Sequence, residues 1–197
     1  MNKIVCLDLD GVSVAEHERF SARLIEKQGY EISDAVNEYF SKFFGSVMKG
    51  EASLVETITP YVPRFNWDGD TSSLLRFWFD GEKTPIQPVL DAARNIRDSG
   101  TPTYVVTDNP AERTNELWDE MLSKYFTNKY VSGETGLKKS NPALWTRIAK
   151  ETGVSLGDIF FADDDFENVN VATSTGVQAI LFTSPEQLKK SIDQFLL

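Results

Sequence analysis

Five carboxylates in two short runs are the residues of this chain with the clearest chemical potential. The first run, Asp8-Leu9-Asp10-Gly11, closes the apolar stretch Ile4-Val5-Cys6-Leu7. Alternate residues of a strand share a face, so Asp8 and Asp10 point one way and Leu9 the other. Two like charges held that close are costly unless a cation or a shared proton compensates them. Asp-Gly is also ordinary turn chemistry, and on this run alone the metal-binding and turn readings stand level. The second run, Asp163-Asp164-Asp165, follows Ile159-Phe160-Phe161-Ala162. Acidic residues at a helix start gain a little from the dipole. Three in succession still repel one another, and a hard divalent cation with oxygen ligands, such as Mg²⁺, is their natural compensation.

Two further segments supply groups that suit an anion. In Thr107-Asp108-Asn109-Pro110-Ala111-Glu112 the pattern predicts Asn109 as helix cap, Pro110 as first helical residue and Glu112 as reciprocal cap. Thr107 then stands just before a helix N-terminus, where free amides and the macrodipole favour phosphate. Lys138-Lys139-Ser140-Asn141-Pro142 leads into another helix with Asn141 as cap. At least one of its two lysines is expected in solvent.

The elements that must position these groups follow from periodicity. From Pro85 onward, helical stripes alternate with short apolar runs at Thr103–Val106, Tyr130–Val131, Ile159–Phe161 and Gln178–Phe182. That alternation predicts an α/β fold, a Rossmann-like parallel sheet wrapped by helices, with ligands at the carboxyl ends of the strands. Between Val12 and Pro85 the spacing is helical, with stripes at Phe20-Leu24-Ile25, Val36-Tyr39-Phe40-Phe43-Phe44, Leu54-Val55-Ile58-Tyr61 and Leu74-Leu75-Trp78. So long a connection between neighbouring strands calls for an inserted all-helical cap subdomain. The expected division is a core of residues 1–12 and 85–197 and a helical cap of residues 13–84. His17 is expected at the start of a solvated helix.

Composition narrows the partners. The chain has 197 residues, 41% of them hydrophobic, and 20 basic against 30 acidic residues give a formal net charge of −10. This argues against nucleic acid or an anionic membrane surface as principal partner. No leader or membrane-length apolar run is apparent. The single cysteine, Cys6, fits a core position in a cytoplasmic protein.

Together, Asp8-Leu9-Asp10-Gly11-Val12, Thr107 with Asn109, Lys139 before Pro142, and Phe161-Ala162-Asp163-Asp164-Asp165-Phe166-Glu167-Asn168 resemble the four motifs of the haloacid dehalogenase superfamily, on its helical-cap branch. The resemblance implies a Mg²⁺-dependent phosphatase acting on a small phosphorylated metabolite, a sugar phosphate or nucleotide, through an aspartyl-phosphate. Asp8 is implied as nucleophile, Asp10 as acid and base, and Lys139 as the third-motif lysine. Leu9, Asp10, Thr107, Asp108, Asn109 and Lys139 are implied to bind the phosphoryl group. The implied metal ligands are Asp8, Asp10 through its carbonyl, Asp164 directly and Asp163 more often through water, with Asp165 as helix cap.

Helical-cap phosphatases similar to this chain around Lys49-Gly50-Glu51 include sugar-phosphate phosphatases. Phe43, Phe44 and Lys49 are the cap residues expected to meet substrate, with cap packing the competing role for the two phenylalanines. A phosphomutase shares these motifs, a 2-haloacid dehalogenase lacks the second aspartate, and a silent phospholigand-binding protein would have lost a motif residue. A monomer or homodimer is expected.

Overall fold

The computed structural model describes residues 3–197. Five parallel strands form one sheet in the order β3-β2-β1-β4-β5: β1 Ile4–Leu7, β2 Thr103–Thr107, β3 Asn128–Val131, β4 Ile159–Asp163 and β5 Gln178–Leu181. The chain leaves β1 toward β2 on one side and later returns to β4 on the other. This reversal opens a crevice at the carboxyl ends of the three central strands.

The apolar run of β1 is buried throughout because it is covered on both faces. Val5 and Leu7 pack with Val89 and Leu90, Leu117, and Leu188 and Ile192. Ile4 and Cys6 join Trp145, Ile148 and Phe161 on the opposite face. Burial raises the Cys6 thiol far above its ordinary range, as suits a small core residue. The covering helices are α6 Gln87–Asp98, α7 Ala111–Glu120, the short α8 Ser132–Thr135, α9 Pro142–Thr152, α10 Phe166–Ser174 and α11 Pro185–Leu196. Their starts follow local chemistry. The Asn141 side chain accepts from the Ala143 amide ahead of Pro142, and Asp165 accepts from the Glu167 amide.

Between β1 and α6 lie α1 Phe20–Gln28, α2 Ser33–Tyr39, α3 Gly45–Val47, α4 Leu54–Ile58 and α5 Thr71–Asp80. A π-helical turn, Phe40–Phe44, joins α2 to α3, a local widening often found at functional sites. These helices close a separate apolar cluster from Phe20, Leu24, Val36, Tyr39, Leu54, Ile58, Leu74 and Trp78, the stripes read from the sequence. Val55 is an exception and is exposed. The two chain crossings pair with each other: Ala15 N donates to Thr84 O at 2.9 Å and Ile86 N to Ser13 O at 3.0 Å. The helical segment also meets the sheet domain through the Lys83–Glu120 ion pair at 3.0 Å and through backbone. Gly50, at φ +67°, lies so close to Gly133 that an added Cβ would fall 2.3 Å from its carbonyl oxygen. The Leu54 amide donates to the Glu112 carboxylate at 3.0 Å. His17 precedes α1 rather than starting it, and its Nε2 accepts from the Thr84 amide. Among the described residues no helix is long and apolar enough to cross a membrane.

Candidate active site

Asp8 sits one residue past β1, pinned beside Asp163 because its amide donates to Ala162 O at 2.9 Å. Both carboxylates are buried and share one ammonium: Lys139 Nζ lies 2.5 Å from Asp8 Oδ2 and 2.8 Å from Asp163 Oδ2. Of the two candidate lysines, Lys139 is therefore the one that faces inward. Burial, and Asp163 beside it, raise the Asp8 carboxyl above the usual carboxylate range against the pull of Lys139. Burial alone would depress Lys139, but Asp8 and Asp163 outweigh it and hold the ammonium charged. The Lys139 amide donates to the Asp108 carboxylate at 2.9 Å, so Asp108 anchors the loop that delivers the lysine.

Thr107 ends β2 and is buried beside this cluster. Its hydroxyl accepts from Asn109 Nδ2 at 2.7 Å, which leaves its own proton free to donate. Asn109 is not the cap of α7. The helix begins one residue later than the pattern predicts, with Pro110 in the cap position, and Glu112 is spent on the Leu54 amide. The Asn109 side chain instead turns into the site, where it also donates to Asp10 at 2.8 Å. A stronger set of partners has overridden the local capping preference. Leu9 is buried in the core, and its amide donates to Asp8 Oδ1 at 2.7 Å.

The compensation for Asp10 is a residue that sequence reading missed. Arg113 grips its carboxylate in a two-pronged pair, Nη2 to Oδ1 at 2.6 Å and Nη1 to Oδ2 at 2.8 Å. Burial would raise the Asp10 carboxyl, but Arg113 and the hydrogen bonds from Arg113 and Asn109 hold it below the usual range. Arg113 is only 2% exposed. Its Nη2 also donates to the Glu82 carbonyl at 2.7 Å, and its buried Nε has no hydrogen-bond partner. One clue was available. Arg113 lies four residues after Asn109, on the same face of α7 as Leu117, where a buried stripe would ordinarily be apolar.

Asp8, Asp163 and Asp164 bring carboxylate oxygens within 4.8 Å of one another. Three carboxylates against the single Lys139 ammonium leave two negative charges, which fits a hard divalent cation. The Asp10 carboxylate is turned to Arg113 and is not part of this cluster. Gly11 makes the cluster possible: at φ +78°, an added Cβ would lie 2.0 Å from Asp164 Oδ2.

Three recesses meet at Asp10. The smallest, about 280 Å³, is lined by Asp8, Thr107, Asp108, Lys139 and Asp164 and is polar. An aromatic one, about 410 Å³, lies between α7 and the helical segment and is walled by Phe20, Phe40, Phe44, Met48 and Trp78, with Arg19, Ser21 and Asn37 among its polar lining. The largest, about 650 Å³, is lined by Glu16, His17, Arg19, Met48, Asp108 and Asp165. Phe44 thus faces the aromatic recess. Phe43 packs on Tyr39 and Tyr61 instead, and Lys49 is exposed on the turn before Gly50.

The model of the haloacid dehalogenase-like hydrolases matches residues 2–174, and the chain belongs to that family. Its structure is similar to a haloacid dehalogenase family enzyme from Bacteroides thetaiotaomicron, with a TM-score of 0.81 at 16% identity over 97% of this chain and 98% of that one. A complex of that enzyme with magnesium and inorganic phosphate aligns with a TM-score of 0.77 at 17% identity, covering 93% of this chain and 95% of that one. In sequence, the chain is 29% identical over 104 residues to a phosphoglycolate phosphatase from Pseudomonas putida. That match spans 52% of this chain and 38% of the relative's length. A 67-residue match at 27% identity to drimenol cyclase drtB from Aspergillus calidoustus covers 34% of this chain and 13% of that protein.

Proposed function

We propose that this hydrolase is a Mg²⁺-dependent phosphomonoesterase of a small phosphorylated metabolite, with Asp8 as nucleophile. The observation that carries the reading is the buried group of Asp8, Lys139 and Asp163 with the Thr107 hydroxyl alongside. In the proposed reaction the Asp8 carboxylate attacks phosphorus, the ester P–O bond breaks, and an aspartyl-phosphate forms. Lys139 and the free Thr107 proton hold phosphoryl oxygens and stabilise the charge that develops there. Asp10 takes a proton from the water that cleaves the intermediate, releasing phosphate and restoring Asp8. That same proton then passes to the next leaving alcohol. Arg113 holds the Asp10 carboxylate where the recesses meet, and there the ester oxygen must lie in this scheme.

Asp8, Asp163 and Asp164 are the residues that would hold Mg²⁺. When bound, the ion would supply positive charge against the phosphoryl oxygens and keep Asp8 ionised. The magnesium and phosphate complex of the Bacteroides enzyme and the phosphatase activity named for the Pseudomonas relative support this reading. In this scheme residues 13–84 act as a lid that closes over the ester and excludes water. The test is phosphate release from a panel of phosphomonoesters with and without Mg²⁺. Turnover that depends on the metal and vanishes in Asp8→Asn supports the proposal. Mg²⁺-independent turnover, or full activity of Asp8→Asn, overturns it.

A further inference from the structure

We infer that Arg113 is a positioning residue for this reaction: it aims the Asp10 carboxylate and leaves one oxygen, Oδ1, open to pass the proton. This role rests on the phosphatase reading above, in which Asp10 gives a proton to the leaving alcohol and takes one from water.

Of the two partners, the arginine is the fixed one. A guanidinium has five N–H donors, four of them on its Nη atoms. Nη1 of Arg113 donates to Asp10 Oδ2 at 2.8 Å and to Asn109 Oδ1 at 2.6 Å. Nη2 donates to Asp10 Oδ1 at 2.6 Å and to the Glu82 carbonyl at 2.7 Å. All four Nη donors are therefore taken. Glu82 is held in turn, since its carboxylate accepts from the Phe20 amide and from Trp78 Nε1. The Asp10 side chain, by contrast, is 46% exposed and stands in the loop after β1. Without the fork it would exchange among staggered rotamers, and the fork selects one.

The same bonds count out the acceptor sites of the carboxylate. Its two oxygens offer about four lone-pair sites. Oδ2 accepts from Arg113 and from Asn109 Nδ2 at 2.8 Å, so both of its sites are filled. Oδ1 accepts from Arg113 and keeps one site open. A proton can be held or passed there without breaking the fork. A lysine in place of Arg113 would balance the charge but would not fix the plane of the carboxylate, because its ammonium is a point charge on a flexible stem.

The test compares kcat/KM, in Mg²⁺, for 4-nitrobenzyl phosphate and 4-nitrophenyl phosphate. The two esters differ by one CH₂, but only the benzyl ester has a leaving oxygen that needs a proton. Arg113→Met should lower kcat/KM for the benzyl ester about tenfold or more, and at least about fivefold more than for the aryl ester. Arg113→Lys keeps a cation beside Asp10 and is the second variant should Met fail to fold; it should show the same unequal loss. In the Asp10→Asn background, Arg113→Met should lower the benzyl-ester value by less than about a further twofold, because it acts through Asp10. Equal losses on the two esters, full benzyl-ester activity of Arg113→Lys, or additive losses in the double variant overturn the inference and leave the phosphatase reading standing. Failure of the unaltered protein to turn over either ester overturns both.

Discussion

At the sheet edge, Asp8 is fixed by backbone: its amide is tied to β4, its carboxylate takes the Leu9 amide, and Lys139 arrives on a loop anchored by Asp108. Across Asp10, the aromatic recess is formed largely by side chains projecting from α1, α5 and the π-helical turn, with few hydrogen bonds to fix them. The polar end is over-determined, with charges that must all be paired. The aromatic end relies mainly on packing, with Trp78 Nε1 bonded to Glu82, and its phenylalanines can be exchanged without breaking an ionic network. The contrast places sensitivity to single substitutions at one end and room for altered selectivity at the other.

The largest expected effect is that of Asp8→Asn, which should lower kcat/KM by at least about a thousandfold. Its melting temperature should not fall, because the change removes a carboxylate whose buried charge is costly. Phosphate release and a thermal melt on the same sample check both parts. Next is Lys139→Met, which strips the shared cation from Asp8 and Asp163. In metal-free protein it should cost about 3–5 kcal/mol of unfolding free energy by denaturant titration. Arg113→Met should cost less, about 1–3 kcal/mol, because Asp10 is nearly half exposed and water can solvate it. Equal losses at Lys139 and Arg113 would break the contrast between a sealed ionic cluster and its more open neighbour.

The pH dependence sharpens the same point. The folded state raises the Asp8 carboxyl, so between its ordinary and raised values the native protein binds more protons than the unfolded chain. This contribution is fully present below the ordinary carboxylate range and is lost as pH climbs from there through the raised value. Metal-free stability should therefore decline over that interval, and Mg²⁺ should flatten the decline; melting curves across pH with and without the ion test this. A smaller difference should separate two neighbours. Asp164→Asn should weaken Mg²⁺ binding about tenfold or more, as read by calorimetric titration. Asp165→Asn should alter it less than about twofold, since Asn caps a helix as well as Asp.

These regions also differed in how readily they could be read from sequence. The carboxylates and Thr107 lie within a few residues of strand ends, and Lys139 lies just before the capped start of α9, so local pattern and strand order suffice to bring them together. The parallel sheet and the helical stripes of residues 20–79 follow from periodicity in the same way. Arg113 was hidden because a charged residue on an amphipathic helix is ordinarily assigned to solvent, and its partner Asp10 is 103 residues away. Asn109 was misassigned for a related reason: its capping chemistry is local, while the partners that claim its side chain are tertiary. The sorting of Phe44 toward the recess and Phe43 away from it depends on the π-helical turn, which shifts the direction of successive side chains and leaves no mark in apolar spacing.

The meeting of Gly50 with Gly133 has a consequence of another kind. Two bare backbone segments rest on each other there, with no side chain between them to compress, rotate or repack. The gap between the helical segment and the sheet is therefore set by the chain's own thickness. A methyl group at Gly50 would act as a shim, propping the two bodies apart, whereas one at Gly133 would press instead on the backbone of residues 109–111 at the start of α7. Small changes at a point with no chemistry of its own would thus set how far the cleft stands ajar.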